Sequence, residues 1–446
     1  MRVARTNVAK LLLDLRMCSS SRDLERGKRI HEAAGRIAGS IVAANALVAM
    51  YARCGSLDLA RGVFDRMPCH NAGSWSSLVL GYVENGEGGL GVEIILSGMI
   101  AAPDSGIFLA GFKACAGLAT KEMGCEIDGT LVKTQALEKA MALHSQFQGS
   151  SCGRDYILHN NMVSMYSKCG SLADARRVFD RMLLRDVVSW NSLVMGCAEN
   201  EEEELALELF GCMGMGENCE PDSRTLVAVL KACAMLAAKE DGCHVDGKFV
   251  KLRCVEKVIA LHDRAREMGC DREIYVASTL VDAYAKCGRM ADSQQVFDSL
   301  TSHNVVSWTA LIRGYVENGQ GELALELFHR MKREGRTLPD ALTLAAALKA
   351  CATMAAREEG KQIDGRTVKV KWLEKGMVVH SQATRMVSNS VQVANTVIDM
   401  YCRCGSMLNA RKVFDTLRFP TVVSWNALLL GYADNGEAEL LKKARE

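Results

Sequence analysis

YARCGSLDLARGVFD, residues 51–65, recurs as YSKCGSLADARRVFD (166–180), YAKCGRMADSQQVFD (284–298) and YCRCGSMLNARKVFD (401–415). The steps from Tyr to Tyr are 115, 118 and 117 residues. In the first copy Leu47, Val48, Tyr51 and Cys54 share one helical face, Gly55 ends that helix, and Ser56 stands at the N-cap of the next. Leu57, Ala60, Val63, Phe64 and Met67 form the apolar stripe of a second helix. In the second copy Ser171 and Asp174 read as a capping-box pair. Neither helix can bury its stripe alone, so the pairs must stack on one another.

Other landmarks keep the same period. A Trp follows each copy (Trp75, Trp190, Trp308, Trp425), and Lys-Ala-Cys recurs at Lys113, Lys231 and Lys349. Residues 189–213 and 307–331 repeat the two-helix pattern, and Pro221-Asp222 and Pro339-Asp340 follow, where proline is expected to stop the second helix. TLVAVLKACAML (225–236) and TLAAALKACATM (343–354) belong to a third unit type. The expectation is an all-α, right-handed solenoid superhelix of helix-turn-helix repeats over residues 1–446, with about 11 complete units and a truncated last one. Cys351 to His380 spans 29 residues, against 13 from Cys18 to His31. The additional stretch EEGKQIDGRTVKVKWLE, with its counterparts GCEIDGTLVKTQALE and GCHVDGKFVKLRCVE, reads as a duplicated second helix in three units.

Composition narrows the function. The chain has 446 residues, 49% hydrophobic residues, 5 Pro and a formal charge of +1, so any groove for nucleic acid must arise from local charge placement. The 18 Cys recur at equivalent repeat positions and read as reduced, buried thiols, which implies a reducing compartment. No run of 18 apolar residues is present, so no membrane span is expected. Arg2 and Arg5 lead straight into a repeat without a complete transit peptide. Zinc-deaminase, Walker, Rossmann and Gly-x-Ser-x-Gly patterns are absent, so no catalytic residue, cofactor or small-molecule substrate is assigned. Cys402-x-Cys404 and Cys69-His70 lack a second ligand pair, so no metal is expected. The recurrent Trp and Tyr read as packing residues, His31, His144, His262 and His380 as helix-surface or interface residues, and the acidic run from Glu201 to Glu204 as a solvated helix start.

Taken together, Asn-Ala-Leu-Val, Tyr-Ala-Arg-Cys-Gly-Ser, Val-Phe-Asp-Arg-Met, Val-Val-Ser-Trp-Asn and Leu-Lys-Ala-Cys-Ala resemble the pentatricopeptide repeat family, and more narrowly its PLS subclass of land-plant organelles. The resemblance covers nearly the whole chain. It implies S-type units at 41–71, 156–186, 274–304 and 391–421, P-type units at 72–104, 187–222, 305–340 and 422–446, and long L-type units at 105–155, 223–273 and 341–390.

The resemblance also implies single-stranded RNA as partner, one base per repeat. Side chains at the fifth and last positions of a unit would read the base edge, and the second would pack on its face. On that basis Asn45 with Asn71 favours a pyrimidine, and Ser76 with Asp104 favours G. Asn160 with Asp186 and Asn191 with Asp222 favour U, and Ser278 with Asn304 favours A. Thr309 with Asp340 favours G, Asn395 with Thr421 is a weaker pyrimidine reader, and Asn426 is the fifth residue of the last unit. Val227 and Ala345 hold the fifth position of L units and are assigned no base. The implied target is 5′-NYGNUUNAGNY-3′. Val42, Ile157, Val188, Tyr275, Val306 and Val423 fit the base-packing role, from which Gly73 and Gln392 depart. Taken singly, each of these Asn and Asp residues would read as a helix cap.

Members of the subclass serve as specificity factors for RNA editing in mitochondria or chloroplasts, usually with C-terminal E and DYW extensions. This chain stops at Glu446 within a P-type unit, so an editing role would need either a C-terminal part missing here or a deaminase supplied in trans, in company with editing-complex proteins. The alternatives are a helical-repeat scaffold that binds proteins and a non-functional fragment of a longer editing factor.

Overall fold

The computed structural model describes residues 2–35, 40–97, 100, 103–127, 129–150, 152–153, 155–213, 219–245, 248–335, 337–363, 366–387 and 390–436. The chain divides into two compact units, 1–229 and 230–446. In the first, α1 (Arg2–Ser21), α3 (Ile41–Arg53), α5 (Ala72–Glu84), α7 (Ser105–Lys121), α9 (Tyr156–Lys168) and α11 (Val187–Glu199) form one layer, each packed on the next. The second layer holds α2 (Leu24–Ala34), α4 (Leu57–Asp65), α6 (Gly88–Leu96), α8 (Thr134–Gln148), α10 (Leu172–Arg181) and α12 (Glu203–Cys212), each against its own first-layer partner. The helix α13 (Ser223–Lys239) runs from the first unit into the second.

The second unit repeats the plan. Its first layer is α15 (Ile274–Lys286), α17 (Val305–Glu317), α19 (Ala341–Ala355), α21 (Val391–Arg403) and α23 (Val422–Asp434). Its second layer is α14 (Leu252–Glu267), α16 (Met290–Asp298), α18 (Gly321–Glu334), α20 (Val370–Val387) and α22 (Met407–Asp415).

The Tyr-x-x-Cys-Gly motif is a helix terminator. Gly55, Gly170, Gly288 and Gly405 sit at φ between +79° and +82°, and the next N–H donates back to the Tyr carbonyl (Ser56 to Tyr51, 2.9 Å; Arg289 to Tyr284, 2.9 Å). This is the six-to-one bond of a Schellman end, which requires a left-handed residue after the cap. The same end closes α11 with Glu201 at φ +64°. The acidic run does start a helix, with Glu202 at the N-cap of α12 and Glu203 and Glu204 in its first turn, but Glu201 belongs to the preceding turn and Glu203 is buried rather than solvated.

Two capping expectations need correction. Ser56 and Ser171 occupy N-cap positions without a side-chain cap bond, and Ser171 Oγ instead donates to Asp174 Oδ2 at 2.6 Å. Capping boxes stand at first-layer helices, as Asn71 with Ser74, Asn304 with Ser307 and Thr421 with Ser424. The helix α18 ends at left-handed Gly335 rather than at Pro339.

Neighbouring pairs are joined by repeated contacts. Phe64–Trp75, Phe179–Trp190, Phe297–Trp308 and Phe414–Trp425 pack edge to face with centroids 4.6–4.8 Å apart, a favoured aromatic arrangement. Asn85, Asn200, Asn318 and Asn435 each donate an amide to a carbonyl of the preceding first-layer helix (Ala52, Ser167, Ala285 and Cys402) at 2.7–3.0 Å. Gly81 and Gly314 permit that approach, because a Cβ on either would stand 2.6 Å from the Cβ of Ala52 or Ala285.

The inserts are not extra helices. Each is an antiparallel hairpin: β1 (Cys125–Ile127) with β2 (Thr130–Val132), β3 (Cys243–Val245) with β4 (Lys248–Val250), and β5 (Lys361–Ile363) with β6 (Arg366–Val368). Ile127 pairs with Thr130, Val245 with Lys248 and Ile363 with Arg366, and in the sequence Asp-Gly stands between the paired residues each time. Asp-Gly is the preferred loop of a tight hairpin, and Gly129 has φ +77°. The long units therefore have two helices and a hairpin, and α8, α14 and α20 are their only second helices among the described residues. Two of the hairpins lie against the next helix terminator, where a Cβ on Gly170 would meet Leu131 O at 2.3 Å and one on Gly405 Thr367 O at 2.1 Å.

Candidate nucleic-acid interface

Most first-layer helices from α5 onward start alike. The capping residues Asn71, Asp104, Asp186, Asn304, Asp340 and Thr421 each accept the backbone N–H three residues on, at 2.8–3.3 Å. Asp222 does the same for Thr225 at 2.9 Å. These are the last residues of the units read from the sequence, so the capping role is real.

The fifth residue of the preceding first-layer helix reaches several of these caps. Asn160 Nδ2 donates to Asp186 Oδ1 at 3.1 Å, and Asn191 Nδ2 to Asp222 Oδ1 at 3.0 Å. The Asn45 amide lies 3.3 Å from Asn71 Oδ1, and turned end for end it would donate to Ser74 Oγ at 2.7 Å. Thr309 reaches Asp340 through Thr343, whose hydroxyl is 2.6 Å from Thr309 Oγ1 and donates to Asp340 Oδ1 at 2.7 Å. Residues 26 to 31 apart in sequence thus share one hydrogen-bonded cluster.

Other expected pairs are not bonded to each other. Ser76 donates to Gly73 O and Ser278 to Ile274 O, each within its own helix, while Asp104 and Asn304 act as caps. Neither Asn395 with Thr421 nor the exposed Asn426 shows a pair bond.

Two of the fifth residues keep an acceptor without a partner. Asn160 Oδ1 and Asn395 Oδ1 are buried without a hydrogen-bond partner, and such a group calls for an explanation. Asp222 stays below its ordinary 3.8: burial acts to raise it, but the Thr225 N–H, the Asn191 amide and the Thr225 hydroxyl outweigh that. It therefore presents a carboxylate, which only accepts.

Beside each cluster stands the second residue of the helix, three positions before the fifth and on the same face. Val42, Ile157, Val188, Tyr275, Val306 and Val423 are all exposed, from 49% at Ile157 and Val188 to 70% at Tyr275. Gly73 and Gln392 are exposed at the same register and carry no such surface. A lone exposed valine is ordinary, but a row at one register is not. Leu342 of α19 extends the row at 59%, a residue that the sequence reading left out. The signal was available, because Leu342 stands two residues after the Pro-Asp that marks the helix start. Thr225 and Thr343, which tie the clusters together, were missed as well.

The recurrent histidines belong to the frame. His31, His144, His262 and His380 share a hydrogen bond through Nδ1 with the hydroxyls of Tyr51, Tyr166, Tyr284 and Tyr401, at 2.8–2.9 Å. Burial holds all four imidazoles below their ordinary 6.5. The fold therefore holds them neutral, whereas the unfolded chain takes up protons as the pH falls past 6.5, so stability present above that value is lost below it. The melting temperature is expected to fall between about pH 7 and 5.5. A triple variant His144→Gln, His262→Gln, His380→Gln should flatten that dependence, and an unchanged profile would reject this origin for it.

Burial also pushes the thiols of Cys115, Cys169, Cys351 and Cys404 up to about 12, which fits unreactive packing thiols. Cys69, Cys125, Cys212 and Cys243 are exposed rather than buried. Among the described residues no group of three or more His, Cys, Asp and Glu could hold a metal, and no helix is long and apolar enough to cross a membrane.

Comparison with known proteins gives the same family at several points along the chain. The PPR repeat model matches residues 42–71, 157–187, 188–215, 275–305 and 393–418, and a PPR repeat family model matches 303–353. Pentatricopeptide repeat-containing protein At2g33680 of Arabidopsis thaliana is 30% identical over 97% of this chain and 68% of its own length. Two further Arabidopsis relatives are At2g03380, mitochondrial (30% identical, 97% of this chain, 57% of its own), and At1g11290, chloroplastic (31%, 95% and 47%). The chain spans about half the length of these last two relatives. A crystal structure of the pentatricopeptide repeat protein PPR10 with an 18-nt psaJ RNA element aligns over 98% of this chain and 73% of its own, at 16% identity and a TM-score of 0.37.

Proposed function

This chain belongs to the pentatricopeptide repeat family, and on that premise we propose that it binds single-stranded RNA in a sequence-specific manner, reading one base per repeat with paired polar side chains. The observation that carries the reading is the recurrent cluster of fifth residue and cap beside an exposed apolar second residue, with an acceptor left without a partner at Asn160. Uracil presents an N–H between two carbonyls. The Asp186 or Asp222 carboxylate would accept that N–H, while the Asn160 or Asn191 amide has a second N–H to give a carbonyl. Val188 or Ile157 would cover the face of the base. A protein-binding scaffold gives no reason for polar pairs to recur beside an apolar row at a fixed register.

The target proposed is 5′-NYGNUUNAGNY-3′ within an organellar transcript, a location supported by relatives named as mitochondrial or chloroplastic. Bound there, the chain would mark a site for editing or processing of the transcript, its repeats binding the RNA rather than reacting with it. Fluorescence anisotropy with an RNA of this sequence, a composition-matched scramble and the DNA version tests the proposal. Preference for the target RNA is expected. Equal binding of all three would reject base reading, and no binding by the folded chain would reject the RNA function.

A further inference from the structure

Charge along the reading face is divided unevenly between the unit types. Residues two, five, nine and thirteen of a first-layer helix share one face, since steps of three, seven and eleven residues return close to the same direction. In the short units the cations at positions nine and thirteen are Arg53, Lys168, Lys286, Arg313 and Arg403. Four of the five are matched by acids: Arg53 with Glu84 at 3.4 Å, Lys286 with Asp282 at 3.2 Å, Arg313 with Glu317 at 3.2 Å and Arg403 with Asp399 at 2.9 Å. Those charges are largely cancelled within the protein.

The long units differ. Their ninth residues are Lys113, Lys231 and Lys349, all exposed and none with an ion-pair partner among the described residues. Arg16 is the fourth of the set. It is exposed and stands two residues before buried Cys18, as the lysines stand two before buried Cys115, Cys233 and Cys351. In α7, α13 and α19 the fifth residues are apolar (Leu109, Val227, Ala345) and offer a base no hydrogen bond. These helices thus lack a reading pair but carry an uncancelled cation about 10 Å along the axis from position two.

We propose that Arg16, Lys113, Lys231 and Lys349 hold phosphates of the bound strand, so that the long units clamp the backbone between base-reading units. The inference rests on the RNA reading above and gives its site a second function. It also accounts for binding a polyanion by a chain of formal charge +1. Each clamp would release counterions and add to affinity alike for all sequences, while the polar pairs set the preference.

The test compares the full chain with Arg16→Gln, Lys113→Gln, Lys231→Gln, Lys349→Gln and with a control, Arg29→Gln, Lys332→Gln, Arg333→Gln, Lys412→Gln, which removes the same charge from exposed positions on second-layer helices. Anisotropy is measured on target and scrambled RNA over a series of salt concentrations. The expected result is a salt slope shallower by about 0.7 per removed cation, with the target-to-scramble ratio unchanged and a far smaller effect in the control. Restoring all four positions as Lys113→Arg, Lys231→Arg, Lys349→Arg and Arg16→Lys should keep the wild-type slope. Equal slopes for the test and control variants would overturn the clamp. A loss of slope with no target preference in any protein would keep the clamp and overturn base reading. Failure of the folded wild-type chain to bind either RNA would overturn both.

Discussion

Replacing Trp308 by alanine is expected to lower the unfolding free energy by about 3–5 kcal/mol, the cost of deleting a large buried aromatic. Trp308 is 2% exposed and meets Phe297 edge to face at 4.8 Å and His303 at 5.3 Å, with the Arg330 guanidinium 5.5 Å from its centroid. Its helix α17 is a first-layer helix, while Phe297 lies on α16 of the preceding pair. The substitution therefore removes a joint between pairs as well as core volume. In a stacked array stability is the sum of each pair and its interfaces, so the joint should open before the rest. Urea unfolding followed by far-ultraviolet circular dichroism should show an earlier, broader transition than the wild type. A shift below about 1 kcal/mol would mean that the indole is not a joint, since surface changes stay near that size.

The second large effect concerns specificity. The double exchange Asn191→Ser with Asp222→Asn copies the Ser278 and Asn304 pair onto the Asn191 site. Asparagine caps as well as aspartate, so the helix start at Asp222 should survive. The exchange removes a carboxylate that accepts the uracil N–H and supplies an amide that can both give to and accept from adenine. Preference at that base is expected to move from U toward A by about tenfold or more, from roughly 1.5–3 kcal/mol for a hydrogen bond to a charged group. RNAs differing only at that base measure it. Unchanged ratios with intact folding would leave Asp222 a cap and nothing more.

Much of the fold is legible in the sequence because it is local. The left-handed glycine of Tyr-x-x-Cys-Gly, the Schellman bond it permits and the apolar stripes on either side are set within a few residues. The period carries those local rules along the chain. The hairpins are legible too, in Ile-Asp-Gly-Thr, Val-Asp-Gly-Lys and Ile-Asp-Gly-Arg, although the helical spacing of Val, Leu and Trp in the inserts points to a helix instead. Three-residue strands are too short for their alternation to stand out, so Asp-Gly is the better signal.

The site divides in the same way. That Asn71, Asp186 and Asp340 cap helices is determined by sequence, since the cap and the N–H it serves are three residues apart. That Asn160 meets Asp186 and Asn191 meets Asp222 while Ser76 and Ser278 turn to their own helix carbonyls was decided only by the tertiary structure. The Ser76 and Ser278 hydroxyls are satisfied by their own helix, the Asn160 and Asn191 amides span the gap to the next one, and the Thr309 hydroxyl does so by meeting Thr343. The same division holds for the cations. Sequence places the acids that neutralise Lys286, Arg313 and Arg403 four residues away on the same helix, but that Glu84 neutralises Arg53 depends on which helices are packed side by side.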